Sequence, residues 1–353
     1  MATTKPDILL IESTVQALDH GRRQALTARF NLLHYDCEST EQFKQRMKPG
    51  GPYASIAAIV RGGWLKAGPL AYHTPFAADV VPHYPPSLRL VCCSGHGHDA
   101  ADVEAMTARG IWYCNTPDAC TEAVANAALA LVLDSFRLLS YAQWCARFDW
   151  IQSRQLGARA VDPTGKVLGV VGLGDIGLAV AQKCEAAFHM RIHYQGPRRK
   201  PAAEQALRQG AVYHAGVDDM IPLVDCIVLA APYTESTHHL LSRAQFSLAK
   251  EGGLRVVNIA RGKMIDEEAL LEALESGLVV GAGLDVHADE PGVNPKLKDN
   301  WRVTVLPHIG VCSRTSWENF ERINLDNLEA FFETGRPLTP VNTIEERNVC
   351  SQG

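Results

Sequence analysis

The ten cysteines of this 353-residue chain never fall into CxxC spacing, and Cys92 and Cys93 sit side by side in an apolar run. That lack argues against a zinc ribbon or a disulfide frame and casts the thiols as small core residues, as in a reducing cytosol. There is no basic excess either. Lys and Arg number 34 against 39 Asp and Glu, for a formal net charge of -5, and the dense basic cluster is Arg198-Arg199-Lys200. A nucleic-acid partner is therefore not expected. The most apolar stretch, 123–139, is interrupted by Asn126, Asp134 and Arg137. It falls short of the roughly 18 uninterrupted apolar residues of a membrane span, so no membrane partner is expected. Ile8-Leu9-Leu10-Ile11 is too short for the core of a signal peptide, which predicts a cytoplasmic protein. Internal repeats and low-complexity tracts are missing as well.

What remains is ordinary globular material, 46% hydrophobic and 21% charged. At about 100 to 200 residues per domain, the length predicts two domains. Short Val-, Ile- and Leu-rich runs alternate with helical patterns almost from end to end, the pattern of parallel sheets covered by helices on both faces. The spacing predicts four strands near 8–11, 57–60, 88–92 and 111–114, then six near 167–171, 191–194, 226–230, 255–258, 282–285 and 303–306. Six in order suit a dinucleotide-binding domain. A long Ala- and Leu-rich helix beginning near Asp118 to Thr121 is predicted to lie between the two sets, and a last helix over 315–333 is stopped by Gly335 and Pro337. That last helix is expected to return to the first domain. The predicted α/β architecture is thus a cofactor domain over 117–310 inserted into a discontinuous domain formed by 1–116 and 311–353.

A predicted strand, Lys166 to Val171, runs directly into Gly172-Leu173-Gly174-Asp175-Ile176-Gly177 and then into a helical pattern. GxGxxG alone is weak. Between a buried strand and a helix each glycine acquires its own purpose, whether the tight turn, the close approach of a pyrophosphate, or close helix–strand packing. The amides and dipole at the helix start then bind phosphate. An NAD enzyme usually carries an acid about twenty residues further on. Here the strand ends His193-Tyr194-Gln195-Gly196-Pro197-Arg198-Arg199-Lys200. Arg198 and Arg199 suit a 2'-phosphate, which favours NADP(H) while leaving NAD(H) open. A merely solvated basic turn is the other reading.

Three polar residues follow predicted strands of the second set, where an open α/β sheet lines its ligand crevice. They are Arg261, Glu290 and His308. A planar guanidinium at Arg261 can hold a substrate carboxylate with two hydrogen bonds while touching a keto oxygen. Hydride arriving at a carbonyl carbon creates an alkoxide that needs a proton, and His308 has a suitable donor. Glu290, bonded to the other imidazole nitrogen, fixes the tautomer and favours the imidazolium. Taken singly, each also reads as a surface Arg, a loop Glu and a structural His. Gly62-Gly63-Trp64 reads equally as a pocket border and as ordinary core or surface.

Val-Val-Gly-Leu-Gly-Asp-Ile-Gly, Asn-Ile-Ala-Arg-Gly-Lys-Met-Ile-Asp, Gly-Leu-Asp-Val-His-Ala-Asp-Glu-Pro and Pro-His-Ile-Gly resemble the D-isomer-specific 2-hydroxyacid dehydrogenase family. Phe136 to Tyr141 and Thr237 to Leu240 are most similar to its fungal D-mandelate dehydrogenase and glyoxylate (hydroxypyruvate) reductase members. The resemblance implies a Rossmann domain inserted into a flavodoxin-like substrate domain, a homodimer, and reduction of a small 2-keto acid. Its catalytic triad falls on Arg261, Glu290 and His308. It further implies that Pro232, Thr237, Ala260, Asp285 and Gly310 lie along the cofactor, with Asp285 near the nicotinamide, and that His96 and Gly97 occupy the loop whose amides bind the substrate carboxylate. Two departures bear on substrate choice. The loop reads Ser94-Gly95-His96-Gly97-His98-Asp99, where relatives carry small or apolar residues, and Asn126 replaces a usual acid. His96 and His98 suit a more polar pocket, a substrate side group or, least well, a metal. A dinucleotide-sensing, corepressor-like binding protein is the alternative. Formate dehydrogenase, also similar, carries Gln where Glu290 stands.

Overall fold

The computed structural model describes residues 5–11, 20–62 and 73–345. The chain divides into two compact units, one formed by Met1–Cys120 with Cys312–Gly353 and the other by Thr121–Val311.

In the first unit the strands β1 (Asp7–Ile11), β2 (Asn31–His34), β3 (Ile56–Arg61), β4 (Leu90–Cys93) and β5 (Trp112–Cys114) form one sheet in the order β2-β1-β3-β4-β5. All pairs are parallel. This is the doubly wound, flavodoxin-like order. Leu90 to Cys93 are all buried, because helices cover both faces and a strand between them has no solvent side. Phe43, Ile59, Val91 and Tyr113 pack on one face, and Ala58, Val60, Cys92, Leu325 and Leu328 on the other. The last two lie on the helix Arg314–Thr334, which Ser313 caps by accepting from the Ser316 amide at 3.0 Å and which Gly335 ends at φ 78°.

The second unit holds β6 (Val167–Val171), β7 (Arg191–Gln195), β8 (Ala211–His214), β9 (Cys226–Leu229), β10 (Leu254–Asn258), β11 (Val279–Leu284) and β12 (Val303–Val305). They pair in the order β12-β11-β10-β9-β6-β7-β8, all parallel. This is the Rossmann arrangement, with a seventh strand added to the six. The order reverses between β6 and β9, and ligands of such sheets bind outside the strand ends at that point. The helix Thr121–Arg137 buries Ala128, Leu131, Val132 and Phe136 within this unit.

The sheets have five and seven strands where the sequence pattern predicts four and six. The two additional strands, β2 and β8, are both edge strands without a fully buried residue. An edge strand needs no continuous apolar run, so the sequences Asn-Leu-Leu-His and Ala-Val-Tyr-His carry no such signal.

Candidate active site

The three glycines after β6 have three different surroundings. Gly172 has φ 88°, and a Cβ there would lie 2.8 Å from the Ala231 Cα. Gly177 would place a Cβ 2.0 Å from the Gly172 carbonyl oxygen, so a side chain would push the helix Asp175–Phe188 off β6. Gly174, at the N-cap of that helix, would meet no protein atom within 4 Å. A turn, a close contact and an open face toward the helix N-terminus are what a pyrophosphate requires. The exposed Asp175 lies in the first helical turn, followed by the half-buried Ile176. On the same edge of the sheet, Thr237 Oγ1 donates to the Pro232 carbonyl at 3.1 Å and fixes the turn after β9.

Glu290 and His308 come together. Glu290 Oε2 accepts from His308 Nδ1 at 2.9 Å, and the side chains are 8% and 13% exposed. A carboxylate only accepts, so the proton lies on Nδ1, and Nε2 is the nitrogen left for exchange with a substrate. His308 sits at φ 56°, in the left-handed region that costs a non-glycine residue roughly 1–2 kcal/mol. Asp285 holds it there. The Asp285 carbonyl accepts from the His308 amide at 2.8 Å, and its carboxylate accepts from the Ile309 and Gly310 amides, each at 2.8 Å. Burial pushes the Asp285 carboxyl above the usual carboxylate range, against these two amides, which draw it down.

Arg261 follows β10. Asn258, 1% exposed, accepts from the Ala260 amide at 3.0 Å and donates to the Arg261 carbonyl at 2.9 Å, closing a tight turn. Arg261 Nη1 donates to the Ala260 carbonyl at 2.8 Å. A Cβ on Gly262 would fall 1.9 Å from the His287 carbonyl carbon, so the loop bearing Arg261 rests on the main chain three residues before Glu290. The three predicted catalytic residues thus leave three adjacent strands, β10, β11 and β12, at the same edge.

Residues 129–310 match the family model described as the D-isomer specific 2-hydroxyacid dehydrogenase, NAD binding domain. The chain belongs to that family. It is 32% identical to 4-methyl-2-oxopentanoate reductase A of Aspergillus oryzae, over 98% of this chain and 99% of that one. Among solved structures it is similar to the holo form of Rhodotorula graminis D-mandelate dehydrogenase, with a TM-score of 0.87, 32% identity, and coverage of 97% and 99%. It is also similar to the NADPH-dependent glyoxylate/hydroxypyruvate reductase of Sinorhizobium meliloti in complex with NADP and malonate, with a TM-score of 0.76, 29% identity, and coverage of 98% and 100%. The protein is accordingly a nicotinamide-dinucleotide oxidoreductase of the 2-keto acid and 2-hydroxy acid class.

In this family member the two arginines after β7 differ from each other. Arg199 grips Glu204 with three hydrogen bonds of 2.8 to 3.1 Å, while Tyr194 donates to the same carboxylate at 2.6 Å. Arg198 is exposed and has no ion-pair partner among the described residues. In the first unit, Ser94 donates to the carbonyls of Arg61 and Gly62 at 3.0 and 2.9 Å, and Gly95 turns the chain at φ 109°. Beyond that turn His96, Gly97 and His98 are exposed. Their main chain is held at two points, the His96 carbonyl accepting from Asn115 Nδ2 at 2.8 Å and the His98 carbonyl from the Ala101 amide at 3.0 Å. Among the described residues no group of three His, Cys, Asp or Glu is placed to hold a metal ion. Gly63 and Trp64 lie outside the described residues.

Sequence reasoning gave no role to Asn258, His287 or Glu204. Asn258 had a visible signal, as an amide following Val256 and Val257 at the end of a buried strand before Arg261. Glu204 had none, since it is one acid in an ordinary helical stretch.

Proposed function

We propose that this protein reduces a 2-keto acid (glyoxylate, hydroxypyruvate or an aromatic 2-keto acid) to the D-2-hydroxy acid, with His308 as proton donor and NADPH as the preferred reductant. The observation that carries this is the contact between Glu290 and a left-handed His308, in the same unit as a glycine loop that fits a pyrophosphate.

Reduced nicotinamide supplies the hydride when bound. The residues of the chain do the rest. Arg261 holds the substrate carboxylate and polarises the keto group. As the carbonyl carbon takes the hydride, the π pair moves to oxygen, and His308 Nε2 gives that oxygen its proton. Glu290 then faces an imidazole that has lost its charge, and in the oxidative direction it stabilises the imidazolium that forms. The first unit is assigned the substrate-binding role through His96 and Gly97, as the family resemblance implies. NADPH preference is supported by the lack of an acid after β7, by the exposed Arg198, and by the similarity to an NADPH-dependent enzyme.

The test is absorbance of NADPH and NADH on addition of glyoxylate, hydroxypyruvate and aromatic 2-keto acids. Turnover of at least one with NADPH favoured is expected; inertness toward all of them would move the reading to a dinucleotide-sensing binding protein. A homodimer is part of the same proposal, with a second copy covering the apolar face of the second unit where Phe148, Trp150 and Ile151 are 71 to 75% exposed. Sedimentation velocity should show a dimer that Trp150→Glu weakens, and a monomeric wild type would refute it.

A further inference from the structure

His287 lies between β11 and Glu290 and is 5% exposed. Its Nε2 is 2.8 Å from the Leu306 carbonyl. A carbonyl only accepts, so the ring proton is on Nε2 and Nδ1 carries a bare lone pair. That buried Nδ1 has no hydrogen-bond partner among the described residues. A phenyl ring would fill nearly the same space without burying an unpartnered nitrogen. What an imidazole adds here is therefore the single bond to Leu306, and Leu306 stands two residues before His308.

The main chain of His287 does a second thing. Its amide donates to Glu290 Oε1 at 3.0 Å, while Glu290 Oε2 accepts from His308 at 2.9 Å. Through its ring His287 fixes the segment that carries the imidazole, and through its backbone it fixes the rotation of the carboxylate that orients the imidazole. Its own carbonyl carbon packs on Gly262, so the same residue also sets the spacing to the Arg261 loop.

We propose that His287 is a positioning residue for proton delivery. Its Nε2–H bond to Leu306 holds the exit of β12 at the height where His308 Nδ1 meets Glu290, and leaves His308 Nε2 at one place above the strand ends. It does not touch the reacting atoms. This rests on His308 being the proton donor, as in the proposed function.

Two variants separate positioning from mere support. His287→Phe keeps the ring and removes the donor; His287→Gln returns an N–H close to the Nε2 position. In 2-keto acid reduction the Phe variant should lose about tenfold in kcat, since displacement of well under 1 Å already matters to a reacting pair. The KM for NADPH should change by less than about twofold, because the ring that is altered is buried and bonded to the main chain of Leu306. The solvent deuterium isotope effect on kcat should rise as proton transfer becomes slower, and the Gln variant should recover most of the rate. Independently of turnover, NMR of protein labelled with 15N-histidine should show a His308 Nδ1 proton, identified by its loss in His308→Asn. That signal should broaden or vanish in the Phe variant and return in the Gln variant. Unchanged kcat, isotope effect and His308 signal in His287→Phe would overturn the proposal, as would a loss of activity that tracks a lower Tm and is not rescued by Gln. A wild type that reduces no keto acid would instead overturn the proposed function, and the NMR comparison would still decide whether His287 maintains the Glu290–His308 contact.

Discussion

The strand ends of the second unit are crowded with mutual ties. Asn258 closes the turn before Arg261, Asp285 takes two amides and gives a carbonyl to the His308 segment, and Glu290 is bonded at both oxygens. In the loop after β4 of the first unit, His96 and His98 are hydrogen-bonded through their main chain. Ser94 and Asn324 fasten the ends of β3 and β4, with Asn324 donating to the Arg61 carbonyl and to Ser94 Oγ at 3.0 Å each, but His96 and His98 just beyond are exposed. Chemistry requires groups placed within about 0.5 Å, so it is built where the backbone has no freedom. Choice among substrates requires only a side chain at the surface of a loop, and such side chains change without disturbing what lies beneath them.

If that contrast is right, damage should scale with how tightly a residue is held. His308→Asn should lower kcat on the order of 10²- to 10⁴-fold, the range of a lost general acid, with NADPH binding by fluorescence titration left within a few-fold. Retained turnover would break the contrast at its centre. The arginines after β7 give a sharper, smaller version within one turn. Arg198→Ala should weaken NADPH by about tenfold and leave NADH nearly unchanged, the loss of one charge-assisted phosphate contact. Arg199→Ala should instead release Glu204 and act mainly on thermal stability; equal losses of NADPH affinity in both would show that the Glu204 pair does not set Arg199 apart. The smallest effects belong to the exposed loop. His96→Ala and His98→Ala should change the ratio of kcat/KM between glyoxylate and an aromatic keto acid by about 3- to 30-fold, with the order of kcat preserved, as expected when pocket contacts alone are altered. Loss of all turnover in either would give that loop a catalytic part.

The legible portion of the molecule follows the same division. Gly172 and Gly177 could be read from the sequence because the turn and the close helix contact there admit only glycine, whereas Gly174 faces open space and was legible only through its place between them. Buried parallel strands were legible because a strand covered on both faces must be apolar throughout. The edge strands β2 and β8 were not, since a half-exposed strand places no such demand on composition. Arg199 looked equivalent to Arg198 in the sequence; only the fold brings Glu204 and Tyr194 against one of them. The pairing of His308 with Glu290 joins residues 18 apart, from two strand ends, and spacing alone cannot show that they touch.

The fit of Gly262 against the carbonyl of His287 has a consequence for motion. With that contact below, and Asn258 bonded to the Ala260 amide and the Arg261 carbonyl, residues 258–262 have little room to hinge. The Arg261 main chain should therefore behave as a stiff post, and the guanidinium is itself tied back to it, Nη1 donating to the Ala260 carbonyl at 2.8 Å. The Arg261 amide should show the order of rigid backbone, so that meeting a substrate costs this loop no rearrangement of its main chain.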